Sequence, residues 1–129
     1  DSELLEGDLE RHEDDGFSVI KIRIGTMELL LFDAGPEFPF TEAISLFVPC
    51  DDQAEVDHLW DGLIADGGEE GQCGWLKDRF GVSWQIVPTR LGELLDDSDP
   101  KVAGAVHAAM MGMIRLSVPE LEAAAAAAR

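Results

Sequence analysis

The stretch Gly71–Pro88, GQCGWLKDRFGVSWQIVP, decides the fold. Two short runs rich in apolar residues flank the turn-like KDRFG at positions 77–81. So short a connection cannot carry the chain across to a parallel strand, so the flanking strands are expected to be antiparallel. In the second strand Ser83, Gln85 and Val87 share one face and Trp84 and Ile86 the other, because side chains alternate along a strand. Gln85 is thereby a neutral amide among apolar neighbours. Asp78 and Arg79 fall in the turn and are expected to organise it.

Upstream, TEAISLFVPC (41–50) reads as a strand with Ile44, Leu46 and Val48 on one face and Ala43, Ser45 and Phe47 on the other. Asp51 or Asp52 then caps a helix, since a carboxylate accepts from the exposed amides of a first turn. Val56, Leu59, Trp60 and Leu63 recur at i, i+3, i+4 and i+7, an amphipathic stripe, and Gly67 and Gly68 end the helix. The order from residue 43 is strand, helix, then at least two antiparallel strands, most of a βαββ(β) unit.

The N-terminal third looks like the sheet part of another such unit. Residues 2–12 read as extended and end in the turn-like EDDG (13–16). Ile20, Ile22 and Ile24 alternate with Val19, Lys21 and Arg23. With the turn at Gly25–Thr26 and the strand MELLLFDAG, residues 17–33 form a predicted hairpin. The prolines and glycine of AGPEFPF mark a connection. Beyond Pro88 the tail is helical. Asp99-Pro100 is a cap followed by a first-turn proline, Val102, Val106, Ala109, Met110 and Met113 continue an apolar face, and Ser117 with Glu120 forms a capping-box pattern before LEAAAAAAR.

The chain has 129 residues, 46% of them hydrophobic and 28% charged, the balance of a folded domain with one core. No apolar run approaches the roughly 20 residues of a membrane span. The formal net charge is −18, with only nine lysines and arginines, too few to cluster into a surface that displaces counterions from nucleic acid. Neither nucleic acid nor a membrane is an expected partner, and a cytoplasmic location is. Cys50 and Cys73 lack metal-pair spacing. A disulfide between them stays open, although a domain of this size does not need one, and two reduced thiols are expected.

GQCGWLKDRFGVSWQIVP, preceded by GPEFPFTEAISLFVPCDDQAEVDHLW, closely resembles the PhnB-like, or demethylubiquinone methyltransferase-like, group of the glyoxalase/bleomycin-resistance (vicinal oxygen chelate) superfamily. The resemblance runs from residue 25 to about residue 122. It implies an α+β fold of paired βαβββ modules, with a mixed, mostly antiparallel curved sheet around a cavity, in a homodimer. On this reading the chain is a single glyoxalase-like domain. Residues 1–35 are the remainder of a first module, 41–88 a second module and 89–129 a helical C-terminal tail. Relatives open with a strand and a helix that have no counterpart here, so either these were left out of the chain or a partner fills their place. A methyltransferase of the Rossmann type binds its cofactor at a glycine-rich turn after a parallel strand, and no such turn is found. No cofactor is expected.

The resemblance also bears on metal binding. Metal-using members of the superfamily take one ligand from a His opening the second module and another from a Glu in its last strand. Those positions fall on Ala43 and Gln85. A catalytic divalent ion needs about three His or carboxylate ligands. Ala43 cannot ligate, and Gln85 offers only a weak carbonyl oxygen. His12 in an acidic turn, His58 off the apolar stripe and His107 in the tail are expected at the surface. No metal is expected.

The same face would instead line a pocket formed by Ser45, Phe47, Trp75, Ser83 and Gln85, with Ala43 lining it beside Ser45 and Phe47. An apolar cavity with a few polar groups suits a small molecule. These side chains would equally fill a closed core or a dimer seam. Lys21 and Arg23 form a cationic pair that either receives an anion or pairs with neighbouring carboxylates.

Three functions are compatible with these features. The first is a metal-independent small-molecule-binding protein. The second is a lyase, isomerase or transferase-type enzyme of the same superfamily, with its pocket at the dimer interface. It would need a general acid or base, for which Glu42 and Glu28 are the candidates. The third is a homodimer without a ligand. No catalytic residue is assigned.

Overall fold

The computed structural model describes residues 2–4, 10–12, 17–33 and 35–129. The chain divides into two compact units, Asp1–Pro39 and Phe40–Arg129.

The first unit is a sheet centred on β3 (Phe17–Ile24). β4 (Met27–Asp33) pairs antiparallel along the length of β3, from Ser18 opposite Asp33 to Ile24 opposite Met27, so the predicted 17–33 hairpin is present. Gly25 opens its turn at φ +60°, a left-handed conformation that favours glycine. The other edge of β3 is shared by β1 (Ser2–Leu4), against Ile22–Ile24, and β2 (Glu10–His12), against Phe17–Val19. His12, expected in a turn, instead closes β2 opposite Phe17. The turn expected at EDDG lies outside the described residues. Arg23 stands opposite Glu28 and pairs with it at 3.4 Å.

In the second unit β5 (Leu46–Cys50), α1 (Gln53–Ile64), β6 (Glu69–Glu70), β7 (Trp75–Lys77) and β8 (Ser83–Pro88) precede three helices, α2 (Thr89–Leu95), α3 (Pro100–Met111) and α4 (Val118–Ala128). The sheet order is β5-β8-β7-β6. β7 and β8 are antiparallel, as the short KDRFG connection requires, and β5 runs parallel to β8 with α1 in the crossover. Asp52 is the cap of α1, its Oδ1 accepting from the Glu55 amide at 2.8 Å. The whole predicted stripe packs inward. Val56 and Trp60 are fully buried with Cys50, Leu76 and Ile86, and Leu59 and Leu63 flank them. The helix ends at Ile64, and Gly68 closes the turn by donating its N–H to the Ile64 carbonyl.

One strand is shorter than expected. The 41–50 segment becomes β only at Leu46, because the Thr41 hydroxyl accepts the Ala43 amide at 3.2 Å and the Thr41 carbonyl accepts from Ile44. Ala43 therefore sits in a turn, and Ile44, expected to face inward with Leu46 and Val48, is 75% exposed.

In the tail, Asp99 caps α3 ahead of Pro100, and Ser117 caps α4 by accepting from Glu120. Val102, Val106, Met113, Leu116, Leu121 and Ala125 form a second cluster with Leu91 and Leu94 of α2. Cys73 and Gly74 donate their N–H groups to the carbonyls of Met113 and Ile114, both at 2.8 Å, tying the tail to the strand that begins at Trp75. Gly74 is held at φ +84°, where a Cβ would lie 2.9 Å from the Ile86 carbonyl oxygen.

Candidate functional site

The two faces of the second sheet have different fates. Leu76 and Ile86 lie beneath α1, flanked by Val48 and Trp84. On the opposite face the strand register creates two rows. Phe47, Gln85 and Trp75 are direct lateral partners across β5, β8 and β7. Next to them, Ser83, Lys77 and Glu69 are partners across β8, β7 and β6. Laterally paired residues project from the same side of a sheet. Phe47 is 58% exposed, and Gln85 and Trp75 are half-buried.

Asp78 sets the geometry of this face. Its Oδ1 accepts from the amides of Phe80 (2.9 Å) and Val82 (3.0 Å), its Oδ2 from the Trp84 indole (3.0 Å), and its carbonyl from Gly81 (3.0 Å). Gly81 supplies the left-handed turn residue at φ +87°. Arg79 adds less to the turn. It reaches Asp66 at 3.5 Å and lies over the Phe80 ring. The turn thereby delivers Ser83 and Gln85 in fixed register to the face.

Four of the five predicted pocket residues come together through that register and one hydrogen bond. Gln85 Nε2 donates to Ser45 Oγ at 2.9 Å, just before β5, while Phe47 and Trp75 stand to either side of Gln85. Ser83, the fifth, is 3% exposed, and its hydroxyl is buried with no hydrogen-bond partner among the described residues. It lines a groove of about 160 Å³ together with Trp75, Lys77, Glu42, Glu69 and Gly71. Gly71 is required beside Trp75, since a Cβ there would meet the Trp75 carbonyl oxygen at 2.7 Å. The groove is smaller than the roughly 300–1,000 Å³ typical of pockets for drug-sized ligands.

Sequence reasoning missed Lys77 and Glu69, although Lys77 lies two residues after Trp75 on one strand and shares its face. Lys77 Nζ bonds Glu42 at 2.5 Å across the groove. That hydrogen bond and the ammonium charge hold the Glu42 carboxyl below its usual range and raise the Lys77 ammonium above its own. A carboxylate kept ionised in this way makes a poor general acid. Glu28, the other candidate, is engaged by Arg23.

At the two positions where the resemblance puts metal ligands, Ala43 has no donor atom in its side chain and lies in an exposed turn, and Gln85 is a neutral amide that donates its nitrogen to Ser45. Among the described residues no three His, Cys, Asp or Glu side chains group as a metal site. His58 and His107 are exposed on helices. Both cysteines are free thiols, and burial pushes that of Cys50 up to about 11, with the carboxylates of Glu55, Asp51 and Asp52 adding to the shift. Among the described residues no helix is long and apolar enough to cross a membrane.

An α+β chain with this mixed sheet, its crossover helix and its helical tail has the architecture of PhnB-like proteins. It superimposes with a TM-score of 0.59 on the PhnB protein of Bacillus cereus, described as a candidate 3-demethylubiquinone-9 3-methyltransferase. The two are 27% identical over 67% of this chain and 79% of the other. Residues 5–87 match the 3-demethylubiquinone-9 3-methyltransferase family, and the chain belongs to it. A Pseudomonas aeruginosa protein aligns at 24% identity over 54% of this chain and 61% of its own, with a TM-score of 0.46. No curated protein matches the sequence.

The family's name implies a methyl-donor cofactor, and the turn after β5 does not fit a Rossmann-type site for one. The crossover turn from β5 into α1 is Asp51-Asp52, with two carboxylates and no glycine where a Rossmann-type site offers glycines and free amides.

Proposed function

We propose that this protein is a metal-independent small-molecule-binding protein of the glyoxalase/bleomycin-resistance superfamily, built on paired βαβββ modules, with its ligand on the Phe47–Gln85–Trp75 face. The observation that carries this reading is Gln85, a neutral amide flanked by two aromatic residues. Its nitrogen is held by Ser45, and its carbonyl oxygen makes no hydrogen bond among the described residues. Such an oxygen beside aromatic surface suits a hydrogen-bond donor on an apolar body. Metal independence is supported by Ala43 and Gln85 standing at the positions where the resemblance puts metal ligands. The chain is further proposed to act as a cytoplasmic homodimer, with the exposed Leu30 of β4 offering apolar surface for association.

A thermal-shift screen with small aromatic compounds, in buffer with and without chelator, tests the reading. Compounds that raise the melting temperature are expected to do so equally in both buffers. Gln85→Ala, which removes the carbonyl acceptor, should weaken them roughly two- to tenfold, the worth of one hydrogen bond. A response seen only with added divalent metal contradicts it.

A further inference from the structure

The groove beside this face carries chemistry that the binding reading leaves unused. Of its charged lining residues, Glu42, Glu69 and Glu70 are acidic and Lys77 alone is basic. Lys77 bonds Glu42, and Glu69, its cross-strand partner, also favours its charge, leaving the cluster with an excess of carboxylates over its single cation. Glu70 faces α1, accepting from the Trp60 indole at 2.9 Å. Glu69 stands in the same row as Lys77 and Ser83, next to the row of Trp75 and Gln85. A cluster of carboxylates alone would be no more than a solvated surface. Here it is joined by the Ser83 hydroxyl, buried, lining the groove and without a partner among the described residues. A buried hydroxyl left unsatisfied carries a desolvation penalty, which a ligand group bonding to it removes.

Resting on the proposed small-molecule site, we infer that its ligand is an organic cation: an amine joined to a flat apolar body. The body lies on Trp75 and Phe47, whose ring faces attract both apolar surface and positive charge. The ammonium is held by the Glu69 carboxylate and the Gln85 carbonyl oxygen, and the Ser83 hydroxyl accepts from a remaining N–H. An ammonium has three donors and no acceptor, matching this set of acceptors. An anion would meet an excess of carboxylates instead, on a chain whose net charge of −18 repels it before contact.

Three probes of nearly one shape and different charge separate the possibilities: phenethylamine, phenethyl alcohol and phenylacetate. Each is titrated at low salt into isotopically labelled protein, with the three tryptophan indole signals as reporters. Phenethylamine is expected to move the Trp75 signal and to bind several-fold more tightly than the alcohol. Glu69→Gln should weaken the amine about two- to fivefold, the range for an exposed charge pair, and leave the alcohol unchanged. Gln85→Glu should tighten the amine. If the alcohol or the acid moves Trp75 as strongly as the amine, the binding site stands and the cationic ligand is wrong. If none of the three moves Trp75, both the cation and the site are overturned.

Discussion

Asp78 does more for the site than any residue in it. Three donors converge on its carboxylate, two of them backbone amides of the turn and the third the Trp84 indole. Asp78→Ala strands all three, and its expected cost is about 1.5–3 kcal/mol, the scale of hydrogen bonds to a charged group, measured by chemical denaturation. Asp78→Asn keeps the acceptor oxygen and should cost less. Cys50 gives a second prediction at this scale. Its folded pKa of about 11 lies above the unfolded value near 9, so the native state holds the proton more tightly. The associated stability is fully present below pH 9 and is lost as the pH rises toward 11. Denaturation midpoints should fall over that window in the native sequence and fall less in Cys50→Ala. The role of the DRFG turn was legible because aspartate and glycine have few alternatives there. The partner of Gln85 was not, since Ser45 lies 40 residues away and is placed by strand pairing.

Elements followed their local signals closely. The helix caps at Asp52, Asp99 and Ser117 and the stripe of α1 were readable because they depend on neighbours within one or two turns. The start of β5 was misread because alternation through Ala43 and Ile44 says nothing of the Thr41 hydroxyl that turns the chain there. Helix α2 was not singled out, since Pro88 at its N-cap resembles a strand ending in a loop. The docking of the tail on α1 was also invisible. Gln53 bonds the Leu116 carbonyl at 3.1 Å and accepts the Val118 amide at 2.7 Å, while Arg115 reaches Asp57 and Asp61 and lies over the Trp60 ring. Gln53→Ala therefore should cost about 1–3 kcal/mol through the unsatisfied groups it leaves. Amide hydrogen exchange should show the loss concentrated at the start of α4.

At the scale of the whole molecule, charge dominates. With −18 on 129 residues the native state repels itself, and salt shortens the range of that repulsion from about 30 Å at 0.01 M to about 8 Å at 0.15 M. The melting temperature should rise between those concentrations, and a fall would show that favourable ion pairs outweigh the repulsion. The same field bears on what approaches the Gln85 face. Trp75 reports on that face directly, with Trp60 and Trp84 as references on the other side of the sheet. The Trp60 and Trp84 indoles are bound to Glu70 and Asp78, while Trp75 flanks Gln85. The most direct measurement is to titrate a small-aromatic fragment set into chelator-treated, metal-analysed protein while following the three indole signals. Binding without metal that moves Trp75 and leaves Trp60 and Trp84 in place is the predicted result. A Trp75 signal that responds only after a divalent ion is restored would contradict it.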